Sequence, residues 1–257
     1  MLTTPLTSKD CDFFRNSKPF GYLYKDNFII NDIAIKIQSE ILNIPPELWD
    51  RYCNPFENKY TLRDKDNLPP YIKMLFRELE SKSFIGQLEE LCGKKLYTDS
   101  SKNFWGVHRF ENGDHLDIHL DAGLHPITLK KKQLTLGIYL TTQNWKLENR
   151  GEIELWDGDE SCITDCKISI QPIFNRMILF DNADNSWHGA PHPIKCGAEH
   201  TRIFITLSYM SDFNDLYNNH RTKAYFTPRP QDKWTQQKLE LRDLRCDPDR
   251  YVEIYRI

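Results

Sequence analysis

Hydrophobic and polar residues alternate strictly in three segments of the second half of the chain. In the first segment, 115–121, the apolar positions are Leu116, Ile118 and Leu120, and the polar positions are His115, Asp117, His119 and Asp121. Segments 133–140 and 202–209 repeat this alternation. A period of two residues is typical of β-strands, whose successive side chains point to opposite faces. The pattern therefore predicts a sheet with one continuous apolar face and one unusually polar face.

Seven strands are predicted after residue 100, because turns rich in Gly, Asn, Asp and Pro separate the segments. They are 104–110, 115–121, 133–141, 152–156, 167–170, 174–180 and 201–209. Before them, the sequence predicts a strand within 20–30 and a helix over 31–43. A second helix begins at Pro69-Pro70, and a third ends at Gly93. Residues 47–68 are predicted to be irregular surface.

These elements predict a mainly β protein with flanking helices and a jelly-roll core, also called a double-stranded β-helix. Helices of the N-terminal part, 1–100, would cover the apolar face, and the polar face of the core, 104–210, would line a lumen. The C-terminal extension, 211–257, is expected to pack on the core with a helix over 231–244. All three parts are expected to form a single domain, 1–257. The alternative is an ordinary sandwich with its polar faces outside.

Composition limits the classes of function. The chain has 257 residues, 39% of them hydrophobic, which is enough for a sizeable core. A formal net charge of −3 favours neither nucleic-acid nor membrane binding. The sequence contains no apolar run of membrane-spanning length and no signal-peptide core. Seven scattered cysteines are typical of reduced thiols, so a cytoplasmic location is expected.

The polar face of segment 115–121 carries candidate metal ligands. On a strand, His119 and Asp121 point to the same side, about 6–7 Å apart at the backbone. A His-x-Asp pair with one distant histidine is the ligand set of the facial triad that holds Fe(II) and leaves positions open. The candidates for the distant histidine are His188, His192 and His200. The alternative is a strand whose polar side faces water.

Three groups of residues, in order along 104–210, resemble the motifs of the prolyl 4-hydroxylase-like 2-oxoglutarate/Fe(II) dioxygenases. The first group is Phe110, Gly113, Leu116, His119 and Asp121. The second is Lys132, Thr135, Tyr139, Leu140, Trp145, Gly151, Glu152, Leu155 and Trp156. The third is Phe180, Ser186, Trp187, His188, Gly189, Pro191, Arg202 and Thr206. Family members often have Tyr in place of Phe110, Arg in place of Lys132 and Gly in place of Arg150.

The resemblance implies a metal site and a cosubstrate site. His119, Asp121 and His188 would bind Fe(II), and Arg202, Tyr139 and Thr206 would bind 2-oxoglutarate, with ascorbate as a candidate reductant. Arg202 also suits this role chemically, because a planar guanidinium can pair with a buried carboxylate. The alternative for Arg202 is a structural ion pair with an Asp.

The implied function is a 2-oxoglutarate- and Fe(II)-dependent dioxygenase that hydroxylates an unactivated C–H bond and releases succinate and CO2. Its partners would be O2, 2-oxoglutarate and a substrate: a prolyl residue of a peptide, an amino acid or a small metabolite. His108 and Asp117 are candidate substrate contacts, whereas His125, His192 and His200 are expected in surface loops. Two alternatives remain: a non-catalytic jelly-roll binding module, and a zinc hydrolase with the same His/Asp/His set.

Overall fold

The computed structural model describes residues 1–3, 5–159, 161–212, 221 and 223–247. The α-helices are α1 (Ser8–Asn16), α2 (Asn31–Leu42), α3 (Pro70–Leu79), α4 (Lys82–Cys92) and α5 (Gln236–Cys246). The strands are β1 (Tyr22–Lys25), β2 (Trp49–Asn54), β3 (Glu57–Leu62), β4 (Trp105–Phe110), β5 (His115–Leu120), β6 (Lys131–Tyr139), β7 (Ile153–Gly158), β8 (Ile163–Ile170), β9 (Arg176–Asp181), β10 (Trp187–Ala190), β11 (Arg202–Ser211) and β12 (Tyr225–Phe226).

The strands form one large, curled antiparallel sheet. Its order is β1-β9-β6-β11-β4-β3-β5-β10-β7-β8, with β2 paired to β3 and β12 paired to β5. Strands β6 and β11 lie side by side at the centre of one half, and β5 and β10 lie side by side in the other. The predicted class, mainly β with flanking helices around a jelly-roll core, is confirmed.

The N-terminal helices cover the apolar face of β6 and β11. Leu134, Leu136 and Ile138 of β6 and Ile203, Ile205 and Leu207 of β11 join one buried cluster with Ile37, Ile72, Leu75 and Leu88 of α2, α3 and α4. Burying such a side chain stabilises the fold by about 1.5–3 kcal/mol relative to leaving it exposed. Caps fix the ends of α4: the Ser81 side chain accepts a hydrogen bond from Phe84 N, and Gly93 closes the helix at φ +68°.

The opposite face of the same two strands lines a cavity, as the alternation predicts. Thr135 of β6 and Arg202, Phe204, Thr206 and Ser208 of β11 all face it. The apolar residues of β5 behave differently from the prediction. Ile118 and Leu120 pack with Trp156, Ile163 and Trp187 in a separate cluster. The expectation of one continuous apolar face is therefore wrong, because β5 belongs to the other half of the curled sheet.

The segment 47–68 differs most from the prediction of irregular surface. It forms the β2–β3 hairpin, and β3 lies between β4 and β5 in the sheet. Helix α1 was also not expected from the pattern, although Thr7 and Asp10 form a capping box at its start. No helix within the described ranges is both long enough and apolar enough to cross a lipid bilayer.

The C-terminal extension contacts the core where it is described. Strand β12 pairs with β5, and α5 begins at Gln236, later than the predicted 231–244. Lys238 Nζ of α5 lies 2.6 Å from Asp117 Oδ2, and Arg245 Nη2 lies 3.4 Å from Glu57 Oε1. Residues 213–220, 222 and 248–257 of this extension lie outside the described residues.

Candidate metal centre

The sheet brings together His119, Asp121 and His188. His188 of β10 lies directly opposite His119 of β5, and Asp121 follows the end of β5. One ligand atom from each of the three lies within 4.8 Å of the other two. His119 Nε2 is 3.4 Å from Asp121 Oδ1, and His188 Nε2 is 3.8 Å from Asp121 Oδ2. One ion at the usual metal–ligand distance of about 2.0–2.2 Å could therefore contact all three.

Backbone carbonyls orient both imidazoles. His119 Nδ1 lies 2.9 Å from the carbonyl oxygen of Asp117, and His188 Nδ1 lies 2.9 Å from that of Ser186. A carbonyl only accepts hydrogen bonds, so each Nδ1 donates its proton. Each Nε2 then keeps its lone pair on the side of Asp121, where a bound ion could accept it. This is the usual arrangement of metal-binding histidines.

Charges around the triad favour the protonation states that bind a metal. Burial opposes ionisation of Asp121, yet the ammonium of Lys132 and the two imidazoles hold the pKa of Asp121 well below its usual value. Lys132 Nζ lies 2.6 Å from Asp121 Oδ2. Burial, followed by the neighbouring His119, lowers the pKa of His188 to about 4. An ionised carboxylate and neutral imidazoles are the forms required for coordination.

The triad lines a cavity of about 350 Å³, within the size range of small-molecule sites. Arg202 lines the same cavity, on the neighbouring half of the sheet. The aromatic residues of its wall are Tyr52, Phe104, Trp105, Phe110, Phe180, Phe204 and Phe226. The candidate metal ligands and a buried cation thus share one partly apolar cavity.

Arg202 is buried with part of its guanidinium unused. Its Nε donates to the carbonyl of Gly151 at 2.7 Å, and its Nη2 donates to Tyr139 Oη at 3.4 Å. Its Nη1 is buried and has no hydrogen-bond partner among the residues that the structure describes. In the described part of the chain, no carboxylate lies within ion-pair distance of Arg202, so the alternative of a structural Asp partner has no support there. A buried cation without an anion is costly, and this residue fits an acidic ligand.

Tyr139 and Thr206, the other predicted cosubstrate residues, are placed differently. Tyr139 is fully buried behind Arg202, and its ring centroid lies 5.0 Å from the Arg202 guanidinium carbon. Thr206 lines the cavity, but its hydroxyl donates to the carbonyl of Leu136 at 3.2 Å. Tyr139 therefore contacts Arg202 and does not itself line the cavity. The hydroxyl proton of Thr206 is already donated to a backbone carbonyl.

The two candidate substrate contacts also separate. His108 lines the cavity, with its Nδ1 2.9 Å from Thr61 Oγ1. Its ring lies over Gly106, where a Cβ would come within 2.1 Å of Nε2. Asp117 is not among the lining residues, because Lys238 and His115 hold its carboxylate. The pairing of β5 with β10 shifts register next to Asp117, so the side chains of Asp117 and His119 do not point to the same side of the sheet as the alternation predicts.

The remaining histidines have other partners. His125 is fully buried, so its predicted surface position is wrong; its Nε2 lies 3.0 Å from Asp99 Oδ1 in a structural contact. His192 lies in a second group of close acidic and imidazole side chains, with Glu152 and Glu154. Arg229 Nη1 lies 3.2 Å from His192 Nε2. That group therefore already has a cation beside it.

Several lining residues were not identified as functional from the sequence. Glu57 and Lys59 come from β3, and Arg245 comes from α5. The β2–β3 hairpin has few apolar residues, so its alternation gives no signal, and nothing in the sequence of α5 marks one face as lining a cavity. Lys132 is a position of the resembling motif, but the sequence does not show that its ammonium contacts Asp121.

Residues 105–210 match the family model described as the 2OG-Fe(II) oxygenase superfamily. No curated protein sequence matches the chain.

Among solved structures, a prolyl-4-hydroxylase from Pseudomonas putida is similar, with a TM-score of 0.57, 10% identity, and coverage of 79% of this chain and 100% of that one. A prolyl hydroxylase from Trichoplax adhaerens, solved with a peptide fragment of hypoxia inducible factor, has a TM-score of 0.55, 16% identity and coverages of 79% and 90%. A Streptomyces hygroscopicus protein, solved with nickel, 2-oxoglutarate and hygromycin B, has a TM-score of 0.52, 13% identity and coverages of 81% and 88%. At these identities the likeness concerns the fold.

Proposed function

We propose that this chain, of which residues 105–210 match the 2OG-Fe(II) oxygenase superfamily, is a 2-oxoglutarate/Fe(II)-dependent oxygenase that hydroxylates an unactivated C–H bond of its substrate. Fe(II) would be held by His119, Asp121 and His188, and 2-oxoglutarate by Arg202. The bound iron and cosubstrate would supply the activation of O2, with release of succinate and CO2. The observation that carries this proposal is the unpaired, buried Nη1 of Arg202 in the same cavity as the triad.

The charges of the site support this assignment. Fe(II) carries two positive charges, Asp121 supplies one negative charge, and one carboxylate of 2-oxoglutarate supplies another. The second carboxylate of 2-oxoglutarate would be costly to bury without a partner. Arg202 is buried, permanently charged and able to donate from Nη1, so it would neutralise that carboxylate. Tyr139 would keep the guanidinium in place through its hydroxyl.

The other residues of the cavity would organise the reaction without contacting the metal. Lys132 would hold one oxygen of Asp121 and leave the other to the ion. Phe180, whose ring centroid lies 4.5 Å from that of His188, and Phe226, at 5.2 Å from that of His119, would exclude water around the ligands. A dry site strengthens each electrostatic contact in it.

His108 would contact the substrate. It is the lining histidine that is not a proposed metal ligand, and its Nδ1 is engaged by Thr61. Its Nε2 can therefore face a substrate group. The substrate itself is proposed to be a prolyl residue of a peptide, an amino acid or a small metabolite. The structural relatives include proteins solved with a peptide and with hygromycin B, so the shared fold alone does not choose among these classes.

Succinate formation from 2-oxoglutarate tests the proposal. Purified protein is supplied with Fe(II), ascorbate and O2, together with a panel of proline peptides, amino acids and sugar or nucleotide metabolites. Succinate should require Fe(II) and increase with one class of compound. The His119→Ala, Asp121→Ala and His188→Ala variants should form none, whereas His200→Ala, a histidine outside the triad, should match the wild type. Zinc in the purified protein together with no turnover of 2-oxoglutarate would favour a hydrolase instead, and the absence of any metal binding would favour a binding module.

A further inference from the structure

One wall of the cavity carries more positive than negative side chains. We call Lys59, Lys65 and Arg245, with the carboxylate of Glu57, the basic wall. These residues come from β3, from the segment that follows it, and from α5. Arg202 and Lys132, the other cations of the cavity, come from β11 and β6. The basic wall is therefore built from different elements than the proposed cosubstrate site.

Glu57 neutralises only part of this positive charge. Its carboxylate lies 2.7 Å from Lys59 Nζ and 3.4 Å from Arg245 Nη2. Burial opposes ionisation of Glu57, but Lys59 and Arg245 lower its pKa to about 2, so it is fully charged at neutral pH. One carboxylate thus faces two cations that are both close to it. Of the two positive charges of Lys59 and Arg245, Glu57 can neutralise only one.

Two donors of the basic wall lack an anionic partner. Arg245 Nε is buried and, within the described ranges, has no hydrogen-bond partner. Lys65 Nζ donates to the carbonyl of Lys102 at 2.8 Å, and no carboxylate of the residues that the structure places lies within ion-pair distance of it. A buried donor without an acceptor and a partly buried cation without an ion-pair partner are both unfavourable. An anion that enters the cavity would relieve both.

His108 lies among these charges. Burial and then the positive charges of Lys59, Lys65 and Arg202 hold the pKa of His108 well below its usual value, so its imidazole is neutral. His108 is thus close to the basic wall and also to Arg202. A group bound at the wall would lie next to the residue that we propose as a substrate contact.

The cosubstrate does not account for the basic wall. In the proposed function, Arg202 pairs with one carboxylate of 2-oxoglutarate, and the other carboxylate and Asp121 balance the charge of the ion. We infer that the substrate carries an anionic group, a carboxylate or a phosphate, which Arg245, Lys65 and Lys59 bind beside His108. This inference rests on the proposed function, because it assigns the remaining charges of the same cavity to the substrate.

Matched pairs of probes that differ only in charge test this inference. N-acetyl-L-proline is compared with N-acetyl-L-prolinamide, and propyl phosphate with 1-propanol. The full chain is loaded with Mn(II) and N-oxalylglycine, the amide analogue of 2-oxoglutarate. Relaxation of the probe protons by Mn(II) then gives affinities for sites near the metal. Calorimetry measures the binding of Mn(II) and N-oxalylglycine separately.

We expect the anionic member of at least one pair to bind roughly tenfold more tightly than its neutral partner. The pair that discriminates identifies a carboxylate or a phosphate. Lys65→Gln and Arg245→Gln should each remove most of this preference and leave the affinities for the neutral probe and for N-oxalylglycine unchanged. Unchanged affinity for the neutral probe also shows that these variants are folded. Lys146→Gln, an exposed lysine outside the cavity, is the control and should keep the preference.

Equal or absent binding of the anionic probes would overturn the inference. So would a loss of N-oxalylglycine affinity in the Arg245→Gln protein, since the basic wall would then hold the cosubstrate. Failure of the wild type to bind Mn(II) or N-oxalylglycine in calorimetry counts against the proposed function instead. Charge discrimination between the probes, read by calorimetry in that case, would still support an anion site at the basic wall.

Discussion

The proposed 2-oxoglutarate site depends on one residue, Arg202, and on its guanidinium. Two of its nitrogens are used within the protein, and Nη1 is buried without a partner. Gly151 makes this arrangement possible: its backbone has φ +81°, and a Cβ there would come within 3.0 Å of Arg202 Cδ. The side chain is therefore held in place before any ligand binds, which lowers the entropic cost of binding.

Replacement of Arg202 should weaken 2-oxoglutarate binding and spare the metal. The loss of a buried, hydrogen-bonded charge pair costs about 2–5 kcal/mol, or roughly thirty- to several-thousand-fold in affinity. Calorimetry of Arg202→Ala with Mn(II) and 2-oxoglutarate should show this loss. Arg202→Lys should recover part of it, because lysine supplies the charge without the planar fork. Unchanged 2-oxoglutarate affinity in Arg202→Ala would make Arg202 a structural residue.

Lys132 should position Asp121 for the metal. Its Nζ lies 2.6 Å from Asp121 Oδ2, and partners of metal ligands typically contribute 10–100-fold to metal affinity. Lys132→Met should therefore lower the affinity for Mn(II) by roughly this factor, measured by electron paramagnetic resonance titration, whereas Lys132→Arg should retain more of it. A gain of affinity in Lys132→Met would show that the ammonium mainly repels the ion.

The sequence predicted His119, Asp121 and Arg202 because they lie in segments with a clear period of two. It predicted His188 only through the resemblance to the family motifs, because β10 has no such period. It could not predict Glu57, Lys59 or Arg245 as lining residues. Their segments lack apolar alternation, and their positions depend on long-range pairing of β3 with β4 and β5 and on the packing of α5. Such contacts are set by the whole fold.

At the scale of elements, the pairing of β5 with β10 places two of the three proposed metal ligands. His188 lies opposite His119, and the next residue, Gly189, is packed against the backbone of β5. A Cβ at Gly189 would lie 2.7 Å from the carbonyl oxygen of Asp117. That oxygen also accepts the hydrogen bond from His119 Nδ1. One glycine thus allows close approach of the strands and keeps the acceptor of a ligand in place.

Gly189→Ala should separate these strands and disturb the metal site. Overpacking of this kind costs about 1–3 kcal/mol of folding free energy, and Mn(II) affinity should fall more than the stability loss alone requires. Gly86→Ala in α4 is the matched control. Gly86 has open space around its Cβ position, so this change should add about 0.5–1 kcal/mol of stability. Urea unfolding and Mn(II) titration measure both effects; normal metal binding by Gly189→Ala would contradict the role of this contact.

Elements with a strong local signal were predicted well, and those without one were missed. Helix α4 has a Ser cap, an apolar stripe and a terminal glycine, and it was expected up to Gly93. The β2–β3 hairpin was missed, because β3 is stabilised by pairing on both sides and only weakly by apolar side chains. Strand β10 is not predicted either. All four of its residues are buried, so polar and apolar residues do not alternate along it.

At the scale of the whole molecule, the helices and the cavity with the candidate metal site lie on opposite faces of β6 and β11. We therefore expect the helices to contribute to the free energy of unfolding and not to metal binding. Leu88 of α4 is completely buried in the shared core. Leu88→Ala should lower the free energy of unfolding by about 2–5 kcal/mol and leave the affinity for Mn(II) unchanged in the folded protein. Leu147→Ala, at a highly exposed position, should change neither quantity. A loss of metal affinity in folded Leu88→Ala would show that the two faces are coupled.

The central claim is that the triad and Arg202 form one site, in which metal and 2-oxoglutarate bind together. Anaerobic calorimetry of 2-oxoglutarate binding, with and without Fe(II), measures this coupling directly. Fe(II) should increase the affinity for 2-oxoglutarate roughly ten- to hundredfold, a usual size for coupling between two ligands. Because such coupling is reciprocal, 2-oxoglutarate should increase the affinity for Fe(II) by the same factor. In Asp121→Ala both increases should disappear. Binding of 2-oxoglutarate that is independent of Fe(II), or coupling that survives in Asp121→Ala, would contradict the assignment.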